Sequence, residues 1–298
     1  MSQIMPCIWV ASHAREAAAL YTSIFPQSRI DHVHLLTDTP GGETEVVDLH
    51  LCGMPFQVMH SGAGFPVNPA ISFVVTFATP EAVDAAAERL LEGGQALMPV
   101  DTYPFNPRFG WVADRWGVTW QIMVGSAENG TVGTIAPFLL FTGAEGKAEE
   151  AVTFYTDLLP NSSVIDVEYF SQDDAPNTPG AVKRVDFVLD GQSFSAMDGG
   201  MMHDFTFNEA ISLCLYCDSQ QEIDQYWAAL SADPAAEQCG WLKDRWGVSW
   251  QIVPRRMDVM MREGTPEQVA RVIAATLTMK KLDTAALEAA YAGVAVQQ

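Results

Sequence analysis

The chain has 298 residues, 48% of them hydrophobic, and 16 Lys and Arg against 37 Asp and Glu give a formal net charge of −21. At about 100–200 residues per domain, this length predicts two domains, each with a full core. A surface of that sign repels phosphate backbones and anionic headgroups, which argues against nucleic-acid and membrane-surface partners.

The N-terminus, MSQIMPCIWVASHAREAAALY, lacks the charged region, long apolar stretch and cleavage site of a signal peptide. No apolar run reaches the ~18 residues of a membrane span. Cys7, Cys52, Cys214, Cys217 and Cys239 follow no framework spacing, so reduced thiols in a soluble cytoplasmic protein are expected. Residues 7–10 predict a short strand, and 14–21 a helix that stops before Phe25-Pro26. Three strand-like runs follow at 30–36, 45–51 and 56–59, separated by Pro-Gly-Gly and Cys-Gly turns. The resulting order, β-α-β-β-β, returns at 71–77, the helix 80–91, and strands near 95–98, 110–113 and 119–124. Between the last runs, Tyr103-Pro-Phe-Asn-Pro-Arg108 reads as a proline-stiffened loop with two aromatics and a cation.

The second half of the chain repeats the first. DRWGVTWQI at 114–122 returns as DRWGVSWQI at 244–252, with Asp and Gly placed for a tight turn. NPAISFVVTF at 68–77 returns as NEAISLCLYC at 208–217, and LYTSIFPQS at 20–28 as FYTDLLPNS at 154–162. A weaker repeat inside the first half relates GMPFQVM at 53–59 to GVTWQIM at 117–123. Four βαβββ modules follow, as domain one over 1–124 and domain two over 135–254. The glycines and small polar residues of 125–134 suit a flexible linker. Residues 255–298 predict a helical tail, with Thr265-Pro-Glu-Gln268 as a capped start. The tail is expected to pack on its own domains or on a sister subunit, which leaves a homodimer open. It carries six Lys and Arg and five Asp and Glu, so the acidity lies in the domains.

These modules and their DRWGVxWQI endings resemble the vicinal oxygen chelate superfamily, which includes glyoxalase I, bleomycin-resistance proteins, fosfomycin-resistance enzymes and extradiol dioxygenases. FNEAIS (207–212), QQEIDQYWAALS (220–231), CGWLKDRWGVSWQIVP (239–254) and MKKLDTAALEAAYAG (279–293) resemble its PhnB-like branch, often labelled 3-demethylubiquinone-9 3-methyltransferase. The resemblance implies an α+β fold of two tandem domains, with paired modules curving their sheets into cups that hold ligand and metal. It also implies metal ligands on the first and last strand of each module. Those positions fall near Cys7 and Ala70, and on Gln57 and Gln121, in domain one; in domain two they fall on Phe138, Ser195, Ala210 and Gln251. None is a His or a carboxylate, so no metal and no other cofactor is expected, a divalent ion being the alternative.

Gln57 and Gln121 are expected to share the interior of domain one and, with Cys7, to orient a small polar molecule. His60 follows Met59 at a strand end and is the candidate for proton transfer, with Asp198 as its counterpart. Tyr103, Phe105 and Arg108 are expected to wall the same cup, with Arg108 meeting an anionic group. Ser195, Asp198 and Gln251 are the domain-two counterparts. Hydrogen bonding to strand backbone is the competing reading for the glutamines. His32 and His34 share a strand face, read as solvated, and Trp120 and Trp250 are read as core. Cys214 and Cys217 should fall on opposite strand faces, which argues against a redox or zinc pair. No glycine-rich cofactor turn of the G-x-G-x-G kind and no P-loop occurs, so methyl transfer finds no support. The function expected is small-molecule binding in the cup of domain one, with a metal-assisted lyase, isomerase or transferase as the alternative. Whether the chain is catalytic stays open.

Overall fold

The computed structural model describes residues 4–39, 42–61, 64–143, 147–200 and 203–294; the outermost residues of the predicted first domain and of the tail fall outside these. Three modules follow the repeated β-α-β-β-β order, and the fourth, expected to match them, has one strand fewer, because only two strands, one of them three residues long, follow its helix. Module one comprises β1 (Ile4–Trp9), α1 (Ala14–Ile24), β2 (Arg29–Thr39), β3 (Gly42–Leu51) and β4 (Met54–Ser61). Module two comprises β5 (Ile71–Phe77), α2 (Pro80–Leu90), β6 (Gln95–Tyr103), β7 (Asn106–Ala113) and β8 (Thr119–Val124). Module three comprises β9 (Ile135–Thr142), α3 (Ala148–Leu158), β10 (Ser163–Tyr169), β11 (Val182–Leu189) and β12 (Gln192–Gly200). Module four has β13 (Ile211–Cys217), α4 (Gln220–Leu230), β14 (Trp241–Lys243) and β15 (Ser249–Pro254), followed by α5 (Arg255–Glu263), α6 (Pro266–Thr276) and α7 (Thr284–Ala292). No described helix is long and apolar enough to cross a membrane.

The modules pair across the repeat. One sheet runs β14-β15-β13-β1-β4-β3-β2 and joins module one to module four; the other runs β10-β11-β12-β9-β5-β8-β7-β6 and joins module two to module three. The seams are antiparallel. Cys7 lies opposite Ser212 in the first sheet, and Ser72 opposite Phe138 in the second. The first sheet therefore takes four strands from the first half of the chain and three from the second, and the other sheet takes four from each.

The halves are held together on the helix side. One apolar core joins α1–α4 to one face of both sheets, with Phe56 of the first sheet against Phe73 of the second at 5.1 Å between ring centres. The DRWG turns lock it. Asp114 Oδ1 accepts the backbone N–H of Trp116 and Val118, while its Oδ2 accepts Tyr21 Oη–H at 2.8 Å and Trp120 Nε1–H at 2.9 Å. Asp244 repeats all four bonds with Trp246, Val248, Tyr155 and Trp250. Gly117 and Gly247 close these turns at φ 84° and 90°, a conformation that favours glycine. Tyr21 belongs to module one and Asp114 to module two, so the motif ties modules that do not share a sheet. Burial pushes both aspartates above the usual carboxylate range despite their hydrogen bonds.

The segment 125–134 is not a free tether. Gly125 N–H bonds Phe77 O, Gly133 N–H bonds Thr76 O, and Thr76 Oγ1 bonds the backbone carbonyl of Thr131. The tail packs on its own chain: Cys239 and Gly240 donate backbone bonds to Met279 and Lys280, and Gln220 accepts from Thr284 N–H. The capping box at Thr265 and Gln268 is present.

Candidate functional site

The sheet faces turned away from α1–α4 form two hollows, cup A on the β1/β13 sheet and cup B on the β5/β9 sheet. Strand alternation decides what enters them. In β1, Ile4 and Ile8 enter the core while Met5, Cys7 and Trp9 face cup A. In β4, Phe56 and Val58 enter the core, so Gln57 and Met59 face cup A. Cys7 lies opposite Gln57 on one side and Ser212 on the other, and Cys214 lies opposite Gln251.

These residues form one hydrogen-bonded floor. Cys7 Sγ–H donates to Gln57 Oε1 at 3.5 Å, and Gln57 Nε2 donates to Asp48 Oδ1 at 2.9 Å. Asp48 Oδ2 lies 3.4 Å from His34 Nε2. Across the seam, Gln251 Nε2 donates to Ser212 Oγ at 2.9 Å. Burial pushes the Cys7 thiol up to about 12, against hydrogen bonds from Gln251 and Ser212 that lower it, so it stays protonated. Helix α5 covers part of the cup. Its Asp258, bonded by Arg262, is held above the usual carboxylate range chiefly by burial, with Asp48 adding to the rise.

Cup B repeats the plan with other side chains. Gln121 Nε2 donates to Ser72 Oγ at 2.9 Å, matching Gln251 and Ser212. Ser195 Oγ donates to Asp186 Oδ1 at 2.5 Å, matching Gln57 and Asp48, and Arg184 Nε bonds the same carboxylate. Phe138 stands where Cys7 stands in cup A, and it packs with Val74 and Leu140 beneath Trp111, Met123 and Met197. An open cavity of about 1340 Å³ runs along both cups beside the 125–134 segment. Met5, Asp48, His50, Tyr216 and Asp258 line it from cup A; Val74, Met123, Asp186 and Ser195 line it from cup B. Of the cup A floor, Asp48 is the residue that reaches this lining.

Several expectations from sequence change. Gln57 and Gln121 do not share an interior, because their strands belong to different sheets. The first-strand positions at the seams are Ser72 and Ser212, two residues beyond Ala70 and Ala210 on the same strand face. His60 shares the core face with Phe56 and Val58, away from Gln57, and its Nδ1 is buried without a hydrogen-bond partner. Asp198 is a cap: Oδ1 accepts the N–H of Lys147 and Ala148 at the start of α3, and Oδ2 accepts that of Val182. The segment 103–108 is the tight end of the β6–β7 hairpin. There Tyr103, Phe105 and Phe109 pack at ring separations of 5.1–5.5 Å beside cup B, and Phe105 is 64% exposed. Arg108 turns to the helix side and pairs with Asp84 of α2 at 2.6 Å. Trp120 and Trp250 are fully buried in the core, and Cys214 and Cys217 take opposite faces of β13.

The sequence reading left the outer wall of cup A to solvent. A bulge between Ile30 and His32 brings Asp31 and His32 together into the cavity lining, and His34 follows on the cup face. His50 Nδ1 lies 2.5 Å from Asp31 Oδ2, and Arg29 Nε bonds Asp31 Oδ1 at 2.7 Å. The alternation of β3, with Val47, Leu49 and Leu51 in the core, was the signal that could have placed Asp48 and His50 here.

A glyoxalase-type divalent ion does not fit either set of strand positions. Cup A offers a protonated thiol, a hydroxyl and two amides; cup B offers a phenyl ring, two hydroxyls and one amide. Such neutral donors are a poor substitute for imidazole and carboxylate. Among the described residues, no group of three or more His, Cys, Asp or Glu is placed to hold a metal ion.

The 3-demethylubiquinone-9 3-methyltransferase family model matches the chain twice, at residues 2–123 and 133–253. No curated protein matches it. The putative 3-demethylubiquinone-9 3-methyltransferase (PhnB protein) of Bacillus cereus is 32% identical, over 41% of this chain and 98% of its own, with a TM-score of 0.38. Glyoxalase I of Zea mays is 8% identical over 87% of this chain and 95% of its own, with a TM-score of 0.53, a likeness of fold alone. The paired modules and the doubled match converge: on a fold like that of glyoxalase I, the chain belongs to the 3-demethylubiquinone-9 3-methyltransferase (PhnB-like) domain family, carried twice in tandem.

Proposed function

We propose that the protein binds a small organic molecule in cup A, without a glyoxalase-type metal set. The observation that carries this reading is the continuous polar run His34–Asp48–Gln57–Cys7 facing Gln251–Ser212 on one cup floor. Paired amides present donors and acceptors at fixed positions, which orients a polar group without requiring charge. Trp9 Nε1, beside the same floor, is buried without a hydrogen-bond partner, a donor that a bound molecule or a water would satisfy. Cup B is the weaker candidate because Phe138 and its neighbours fill the equivalent space. Methyl transfer is not proposed, since no G-x-G-x-G turn is present to receive a methyl-donor cofactor.

Native mass spectrometry after incubation with a small-metabolite extract, paired with elemental analysis of protein purified without chelator, tests the reading. The expected result is a retained organic mass without an equivalent of divalent metal. One equivalent of metal that Gln57→Ala and Gln251→Ala both lose would refute it.

A further inference from the structure

Three sulfur side chains meet on the cup A face of the seam between β1 and β13. Ile4 and Ile8 of β1 enter the core, as do Leu213 and Leu215 of β13, so Met5, Cys7 and Cys214 face the cup. Met5 lies directly opposite Cys214, and Cys7 opposite Ser212, which makes Cys7 and Cys214 diagonal neighbours across the seam. Diagonal pairs stand about 7–8 Å apart at Cα and somewhat closer at Cβ, within reach of one another's side chains. Both cysteines are free thiols, no more than 3% exposed, and Met5 is the member of the trio that lines the open cavity.

Cup B supplies the control. Val74 lies opposite Ala136 there, and Ser72 opposite Phe138, so the same three positions hold Ala136, Phe138 and Val74. The fold packs these positions with hydrocarbon alone, and packing does not demand sulfur at any of them.

The chemistry of the trio narrows what it can hold. Burial pushes the Cys7 thiol up to about 12 and holds Cys214 well above the ordinary thiol range, with Cys7 adding to the second rise. Such a floor disfavours net charge, so a cation bound by both sulfurs as thiolates must leave the site neutral, which selects a divalent ion. Sulfur donors select a soft one. The groups beside them, the Gln57 and Gln251 amides and the Ser212 hydroxyl, are poor donors for completing the four-coordinate shell of zinc.

We infer that Cys7 and Cys214, with Met5 on the cavity side, form a three-sulfur site for a soft divalent cation satisfied by two thiolates, a mercuric ion in chemical class. The inference goes beyond the reading of cup A as the seat of an organic molecule and does not depend on it. On binding, two S–H bonds break, two S–Hg bonds form, and both protons pass to water. No electron is transferred, and the bis-thiolate is neutral.

The probe is mercuric chloride alone, added at one equivalent and challenged with excess glutathione. Cys52→Ser and Cys239→Ser are present in every protein tested, because these half-buried thiols would compete. The parent is expected to retain one ion by native mass spectrometry and to release two protons per ion, a count that a singly held ion does not give. Cys7→Ala and Cys214→Val, the latter bringing in the residue of cup B, are each expected to weaken retention at least about 100-fold, the scale on which a second tethered donor adds to the first. Urea midpoints establish that each variant is folded. Met5→Leu keeps the volume and is expected to slow uptake without changing the proton count. Gln57→Ala should hold the ion while losing the organic ligand of cup A, so the two readings fail separately. Loss of the ion to glutathione from the parent, one proton per ion, retention undiminished in Cys214→Val, or uptake unslowed in Met5→Leu each overturns the three-sulfur site.

Discussion

Cup A and cup B place matching register positions around their floors and fill them differently. Both keep a glutamine donating to a serine, Gln251–Ser212 in one and Gln121–Ser72 in the other. Both keep an aspartate bonded to the last strand of its own module, Asp48–Gln57 and Asp186–Ser195. Where cup A has Cys7, cup B has Phe138; where cup A has His34 and His50, cup B has Glu168 and Val188. The shared pairs show what the fold requires of these positions, and the differences show where a binding function can reside. Helix α5 adds Asp258 to the lining of cup A.

The largest effect is expected where both cups depend on the same feature. Asp114→Ala would leave Trp120 Nε1 and Tyr21 Oη buried without their acceptor, and two turn N–H groups as well, at a cost of roughly 3 kcal/mol. Asp244→Ala should cost about as much, and either change should loosen both cups, because each cup draws on both halves. Urea unfolding checks this. A loss confined to one cup's probe would break the cross-paired account.

A reciprocal swap tests the difference between the floors. Cys7→Phe gives cup A the residue of cup B; overpacking should cost about 1–3 kcal/mol and ligand retention should disappear. Phe138→Cys should leave cup A's ligand in place. Retention by Cys7→Phe would place the ligand elsewhere.

A smaller, pH-dependent effect belongs to cup A alone. Burial first, and Asp48 in addition, hold Asp258 above its unfolded value, against Arg262 and His34. The folded chain therefore binds this proton more readily than the unfolded chain. Stability from this group is fully present below the ordinary carboxylate value near 4 and declines as pH rises through the raised value. Asp258→Asn should gain stability relative to wild type as pH rises across that window, read by denaturation midpoints. A pH-independent difference would contradict the assignment.

Much of this organisation was legible in sequence. The DRWG repeat located the halves and the weaker GMPFQVM repeat located the modules, because turn chemistry and strand alternation leave marks every few residues. Pairing between modules leaves no such mark. The seam strands β1, β5, β9 and β13 are all short apolar runs, and nothing in Cys7 or Ser72 says which neighbour it will meet. That is why Gln57 and Gln121 were assigned to one interior. His60 went astray for a different reason, since parity counted from Phe56 and Val58 puts it on the core face. Arg108 looked available because its partner, Asp84, lies on a helix that sequence spacing does not connect to it. The bulge that turns Asp31 toward His50 depends on strand register, which the 29–39 segment alone does not specify.

A double-mutant cycle on ligand retention tests the composite cup most directly. Gln57 comes from the first half of the chain, Gln251 from the second, and Gln121 from the first half but the other sheet. The account predicts that Gln57→Ala and Gln251→Ala each weaken retention about 10-fold or more and combine non-additively, while Gln121→Ala changes little. Strong coupling between Gln57 and Gln121, with Gln251→Ala silent, would contradict it.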